Sequence, residues 1–406
     1  MKILQLCNKV PYPAIDGGAI ATLNLSKGLV MSGHELTVLA MNTKKHRVDP
    51  KSIPADLSDK IQFELVEVDA PISGSGALSN LLFSRKPYTA SRFYSSVFKE
   101  KLIQLLTENQ YEIVQLEGLY LSMYIPDIRA NSKARIAYRA HNIEYEIWER
   151  VSKQETSRVK RLYLQSLVRR IKIMEKMLMN QYDLLVPITE RDAHELQILG
   201  NRKPVHVCQT GVFTDEYNAG PKGSPLSLIH IGALDWAPNQ EGISWFLEKV
   251  WPDIMKEMPE ITLHIAGRNA PARMEQLFEQ TPGLHYHGEV ENAHSFMTKG
   301  QVMIVPLRSG SGMRIKIIEA MALGRCVVTS KIGTEGIQST HEDNILISDT
   351  PNDFKNNLLR VLQEPDLSSK IGQKARIFVE SSFDNKLIAD RLADFFKMNM
   401  ETGDAE

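Results

Sequence analysis

The sequence predicts an α/β protein of two doubly wound parallel-sheet domains, and three observations carry that reading. The chain has 406 residues, more than one hydrophobic core usually serves, so two domains of roughly 200 residues are the natural division. Short β-branched runs alternate with longer stretches of helical period, the sequence form of βαβ units. The alternation is interrupted by a polar stretch around Asn218 to Pro225, containing Gly220, Pro221 and Gly223, and restarts at Leu226, as it would across an interdomain linker.

Seven runs are expected as strands of the first domain: Ile3 to Cys7, Leu36 to Met41, Phe63 to Val68, Ile113 to Glu117, Ala134 to Tyr138, Leu184 to Thr189 and Val205 to Cys208. Six more follow in the second: Leu226 to Ile231, Ile261 to Ala266, Leu284 to His287, Val302 to Pro306, Cys326 to Thr329 and Ile345 to Ile347. Leu387, Ile388, Leu392, Phe395 and Phe396 recur at helical spacing, so the segment from Asn385 to Met400 reads as an amphipathic helix that returns to the first domain. The domains are thus placed at 1–217 with 385–406, and at 224–384. Ser73 to Ser79 (SGSGALS) reads as a flexible loop.

Composition narrows the function classes. With 48 Lys+Arg against 49 Asp+Glu, no global charge draws the chain to nucleic acid or membrane. Cys7, Cys208 and Cys326 lie far apart in apolar runs and fit no zinc spacing, so they read as reduced core thiols of a cytoplasmic protein. The opening MKILQLCNKVPYP breaks at Pro11 and reads as neither signal peptide nor membrane span. No Gly-x-Gly-x-x-Gly follows the first strand, which disfavours a dinucleotide oxidoreductase.

In parallel sheets, ligands bind where strand ends meet helix N-termini, whose free N–H groups attract phosphate. Two loops fit. Pro11 to Ala19 carries Gly17 and Gly18 where a helix should start, and these serve either a tight turn or close approach of an anion. Pro306 to Ala322 (PLRSGSGMRIKIIEAMA) places Gly310, Ser311, Gly312 and Met313 at a turn, then Arg314 and Lys316, then Glu319. Cations at a helix N-terminus oppose its dipole unless an anion is bound, and such a conflict between local rule and sequence suggests a site. Glu319 could accept hydrogen bonds from both hydroxyls of a ribose.

These features together resemble glycosyltransferase family four, the retaining GT-B enzymes. The likeness rests on Pro13, Gly17-Gly18 and Gly33-His34-Glu35 near the start, on RAHNIEYEIW around His141, on GALDWAPNQEGISWF at Gly232 to Phe246, on AGRN at Ala266 to Asn269, and on SGSGMRIKIIEAMALGRCVV. It covers nearly the whole chain. It implies two Rossmann-like domains facing across a cleft, with the first on the acceptor side and the second binding the nucleotide-sugar donor. It also implies a ribose contact for Glu319, a diphosphate contact for Gly17 and Gly18, a donor-sugar contact for His141, and a loop around Glu289 and Val290 that frames the base. Three positions depart from the family: Ser311 replaces the first glutamate of the Glu-x7-Glu motif, and Ala233 and Asn239 approximately replace the usual arginine and lysine. The phosphate cations are therefore expected from Arg314, Lys316 and Arg268.

Loss of a nucleotide diphosphate needs stabilised negative charge. No Asp-x-Asp pair is present to hold a divalent metal, so no metal and no other cofactor is expected. The expected function is transfer of a sugar from a UDP- or GDP-sugar to a glycan, lipid-linked or small-molecule acceptor. The alternatives are a nucleotide-sugar epimerase and a non-catalytic sugar-nucleotide-binding protein. Glu117 either lines the cleft or caps a helix. His285 and His287 share a strand face, but without a nameable third ligand they read as solvent-facing or structural. The stretch 150–176 is expected to be a long helical region with a basic surface and an apolar face of Leu162, Leu167, Ile171 and Met174. It is either an ordinary solvated surface or one that docks on an anionic inner membrane face.

Overall fold

A computed structural model describes residues 1–71, 73–218, 223–310 and 312–401. The chain divides into two compact units, one of Met1–Thr210 together with the chain from Lys386 onward, the other of Gly211–Asn385.

The first unit is a six-stranded sheet of β1 (Lys2–Cys7), β2 (Glu35–Thr43), β3 (Gln62–Val68), β4 (Ile113–Glu117), β5 (Arg135–Ala140) and β6 (Leu184–Pro187). The order is β3-β2-β1-β4-β5-β6, with every pairing parallel. Helices cover both faces, so central strands such as β1 are buried almost throughout. The helices that matter below are α1 (Gly17–Met31), α2 (Gly74–Phe83), α3 (Glu144–Gln154) and α4 (Arg158–Leu178).

The second unit repeats the arrangement with β7 (Ser224–Ile231), β8 (Thr262–Ala266), β9 (Leu284–Tyr286), β10 (Gly300–Val305), β11 (Cys326–Thr329) and β12 (Leu346–Ile347), in the order β12-β11-β10-β7-β8-β9. Counted from its own first strand, this is the strand order of the first unit. Two of its helices are α5 (Ala237–Lys249) and α6 (Ile315–Ala322). The last helix, α7 (Asn385–Glu401), carries the chain back into the first unit. Its buried Ile388, Ala389, Leu392, Ala393 and Phe396 join Ile3, Val38 and Leu184 in one apolar cluster, because their spacing places them on one helical face.

Four readings of the sequence change. Val205 to Cys208 is not a strand: Val205 makes a single bridge to Leu185, and although the Cys208 N–H reaches the Pro187 carbonyl at 2.8 Å, Pro187 has no N–H to return and the ladder stops. Ser73 to Ser79 is not a loop but the start of α2, whose N-cap Ser73 accepts from the Gly76 N–H at 3.2 Å. The basic stretch is two helices, α3 and α4, and Leu162 is 68% exposed on the second instead of packing inward, because the buried stripe of α4 runs through Leu164, Leu167, Ile171, Glu175 and Leu178 and Leu162, two residues before Leu164, falls on the opposite side of the helix. Gly211–Tyr217 goes with the second unit, where Val212 bridges Asp384 and Arg376 Nη1 donates to the Tyr217 carbonyl at 2.6 Å.

Candidate active site

In each sheet the strand order reverses direction between the first and fourth strands, β1 and β4 in one unit, β7 and β10 in the other. Loops leaving the carboxyl ends of such a pair diverge and leave a crevice.

In the first unit the crevice is polar from the sheet upward. The register places Gln5 beside Gln115, and Cys7 beside Glu117 beside Arg139. Side chains alternate across a strand, so these residues share one face and His141, two past Arg139, continues it. Glu117 is the hub. Its Oε1 accepts from Gln5 Nε2 at 2.7 Å and Gln115 Nε2 at 2.5 Å, and its Oε2 accepts from Thr22 Oγ1 at 3.0 Å and Arg139 Nη1 at 3.1 Å. His141 Nε2 lies 2.6 Å from the same Oε2. Burial alone would push the Glu117 carboxyl up, but the Arg139 guanidinium, His141 and Gln115 together hold it far below the usual carboxylate range. The sequence left Glu117 open between lining a cleft and capping a helix; it lines the cavity of this unit and also anchors His141.

Glu117, His141, Gly18, Thr22, Tyr120 and Glu144 line a cavity of about 120 Å³. Gly17 and Gly18 form the first turn of α1, whose N-cap Asp16 accepts from the Ala19 N–H at 2.9 Å and pairs with Lys9 Nζ at 2.5 Å. This helix N-terminus therefore already carries a carboxylate. On the far wall, Tyr120 donates to Glu144 Oε2 at 2.8 Å. Burial raises the Glu144 carboxyl above its ordinary range. Burial also raises Glu175, to about 7, although Glu175 accepts from the N–H groups of Glu144 at 2.8 Å and Tyr145 at 3.1 Å at the start of α3.

In the second unit, the loop after β10 turns through Gly310 (φ 108°) and Gly312 (φ 83°). A Cβ at Gly310 would lie 2.8 Å from Arg314 Nη2 and 3.2 Å from Trp236, so glycine is required there for both its backbone angle and the space. Arg314 is buried, lies 5.1 Å over the Trp236 ring and donates to the Gly312 carbonyl at 2.6 Å. It occupies the N-cap position of α6.

Lys316, on the first turn of α6, reaches back to the end of β7. Its Nζ donates to the Ile231 carbonyl at 3.1 Å and to Asn239 Oδ1 at 3.0 Å, while Asn239 Nδ2 donates to the Ala233 carbonyl at 2.8 Å. A cation is thus held against Asn239, the position where the sequence lacks the family's lysine. Burial, aided by Arg314, brings Lys316 down to about 7.

One turn further along α6, Glu319 Oε1 accepts from Tyr217 OH at 3.1 Å and lies 3.7 Å from His294 Nε2, and the Tyr217 and His294 rings sit 4.2 Å apart. Met313 and Val290 pack against one apolar cluster, and the Arg268 carbonyl accepts from the Leu234 N–H at 2.9 Å. Ser311 lies outside the described residues.

Reading the sequence alone does not find Lys9, Asp16, Arg139, Tyr120, Glu144, Tyr217 or His294. The one available signal was a set of polar residues, Gln5, Gln115 and Arg139, inside strands that are otherwise apolar. His264, also missed, joins the strand histidines: its Nδ1 lies 3.0 Å from His287 Nε2 and its ring 5.0 Å from His285. Among the described residues, no group of three His, Cys, Asp or Glu is placed to hold a metal ion.

Comparison with known proteins gives this architecture a family. Residues 15–216 match Glycosyltransferase Family 4, and residues 225–364 match Glycosyl transferases group 1. In structure the chain is similar to Anabaena HepE in complex with UDP, with a TM-score of 0.68, 14% identity, and 98% of this chain and 100% of that one covered. It is also similar to sucrose-phosphate synthase from Thermosynechococcus elongatus, with a TM-score of 0.71, 15% identity, and 99% and 100% covered. In sequence it is 22% identical, over 98% of this chain and 100% of the other, to a Klebsiella pneumoniae protein described as an uncharacterized 44.6 kDa protein in the cps region. Two matched domains that together take in most of the chain, on a fold shared with GT-B glycosyltransferases, make this protein a glycosyltransferase of family 4, group 1.

Proposed function

We propose that the protein transfers a sugar from a UDP- or GDP-sugar to a glycan, lipid-linked or small-molecule acceptor, with retention of configuration and without a metal ion. The observation that carries this is Lys316, fixed between Asn239 and the end of β7 beside Arg314. These cations, with the N–H groups at the start of α6, are the groups proposed to hold the diphosphate. They stabilise its departure more than the bound ground state, because the charge on the leaving oxygen grows as the bond breaks. A structural neighbour solved with UDP supports a nucleotide donor. A relative from a cps region fits a place in polysaccharide biosynthesis.

The remaining roles are proposed residue by residue. Glu319 takes the ribose hydroxyls on the oxygen that Tyr217 leaves free, and the loop at Val290 frames the base. Gly310, Gly312 and Met313 shape the phosphate turn, with Ser311 among them and Arg268 near its rim. His141 contacts the transferred sugar, oriented by Glu117, and Gly17 and Gly18 admit the donor's anionic portion. Thermal-shift binding of UDP, GDP, ADP, CMP and TDP, with and without EDTA, tests the donor site. One nucleotide should raise the melting temperature without metal and fail to do so in Glu319→Ala and Arg314→Ala. If none stabilises the native protein at millimolar concentration, the donor assignment is wrong.

A contact with an anionic membrane face belongs to the same proposal. Helix α4 presents exposed Val159, Leu162, Ile173 and Met177 beside Arg158, Arg161, Arg169, Lys172 and Lys176, and its single acid, Glu175, is buried. No helix among the described residues is long and apolar enough to cross a membrane, so such a contact would be interfacial. Co-sedimentation with phosphatidylglycerol vesicles but not phosphatidylcholine vesicles is expected; equal recovery with both would refute it.

A further inference from the structure

A second cavity of about 460 Å³ in the first unit shares Asn8 and Lys9 with the one that holds His141. It lies over the carboxyl ends of β1, β2 and β3, the side of a parallel sheet on which ligands bind. Its lining includes Lys9, then Lys44, Lys45 and His46 from the turn after β2, and Arg92 and Phe93 from the segment before β4.

The charges there are unbalanced. Lys9 is matched by Asp16 at 2.5 Å and Lys44 by Asp69 at 3.4 Å. Lys45 and Arg92 form no ion pair among the described residues. Arg92 lies 4.7 Å over the Phe93 ring, with its Nε buried and without a hydrogen-bond partner. The surplus is felt by His46, whose pKa is lowered by burial and then by Lys45 and Lys9. Phe93 also stacks on Tyr120 at 5.8 Å, and Tyr120 lines the His141 cavity, so an aromatic wall runs from one cavity to the other.

We propose that this cavity holds the phosphate or diphosphate group of the acceptor, leaving the acceptor's reacting end toward His141. The inference rests on the sugar-transfer reading above and adds the acceptor's chemical class. Two unmatched cations with further donors around them suit a group that carries about two charges and three terminal oxygens better than they suit a single carboxylate. The same phosphate chemistry is carried by a sugar phosphate and by a polyprenyl diphosphate.

The test is calorimetric titration of protein already saturated with its stabilising nucleotide, so that the donor's phosphate site is filled. Pyrophosphate, glucose 1-phosphate and farnesyl diphosphate are titrated into the native protein and into Lys45→Gln/Arg92→Gln. At least one should bind the native protein tenfold or more tightly than the double variant, while nucleotide affinity, which also reports an intact fold, is the same in both. Farnesyl diphosphate binding tightest identifies a lipid-linked acceptor, and glucose 1-phosphate binding tightest a soluble sugar phosphate. If nucleotide binds but none of the three does, or if the double variant binds each as tightly as the native protein, the cavity's assignment falls and the donor reading stands. If nucleotide itself does not bind, both fall.

Discussion

Glu117 Oε2 is shared between His141 Nε2 at 2.6 Å and Arg139 Nη1 at 3.1 Å. Because Glu117 is held ionised, it can only accept hydrogen bonds. His141 must therefore carry its hydrogen on Nε2, which leaves Nδ1 as the nitrogen available to a ligand.

Replacing Glu117 with Gln should therefore impair both folding and turnover. Arg139 is fully buried and would lose its counter-charge, at a cost of about 3–5 kcal/mol measured by urea unfolding. Turnover should fall with little change in nucleotide affinity, and His141→Ala should reduce it by about 10²–10³-fold, the usual effect of losing one aligned polar group. Unchanged turnover in His141→Ala would remove the histidine from the site.

Lys316 predicts a pH dependence of donor binding. Its folded pKa, about 7, lies below the ordinary 10.5, and a diphosphate needs the ammonium form. UDP or GDP affinity should therefore fall as pH rises above about 7, by up to roughly tenfold per unit until the pKa of the complex is reached. Calorimetry in buffers of different ionisation enthalpy should register proton uptake on binding above pH 7. Lys316→Gln should bind weakly with no such slope.

Glu175 predicts the opposite kind of dependence, in stability. Its folded value of about 7 exceeds the ordinary 4.5, so its contribution is fully present below about pH 4.5 and is lost as pH rises through about 7. The size is at most about 3 kcal/mol. Melting temperature should decline across this window more steeply in the native protein than in Glu175→Gln.

Gly310→Ala places a Cβ against Arg314 at a backbone angle that side chains avoid. The strain is worth about 1–2 kcal/mol. Urea unfolding should register that loss, and nucleotide affinity should fall as Arg314 shifts; native affinity would mean that the loop is not part of the site.

The fold was legible because parallel strands buried on both faces are written as continuous apolar runs, and because α7 keeps its apolar face in helical register. Gly310, Arg314, Lys316 and Glu319 could be found because they lie within ten residues of one another, around one turn and the helix after it. Glu117 could not be given a partner, since Cys7, Glu117 and Arg139 become neighbours only through the pairing of β1, β4 and β5. Asn239 was visible as the loss of a cation, but not as the seat of Lys316, 77 residues away. Ser73 to Ser79 misled because Gly and Ser suggest a loop until Ser73 is seen capping a helix.

The return of α7 to the first unit also sets an order of events during synthesis. Residues 211–385 are contiguous and need nothing made after them. The first unit, although its sheet is translated earlier, cannot close its apolar cluster until Ile388 to Phe396 have left the ribosome. Domains usually mature in the order in which they emerge. Here the later-made unit is free to finish first, while the one carrying His141 waits with an apolar face uncovered until α7 arrives.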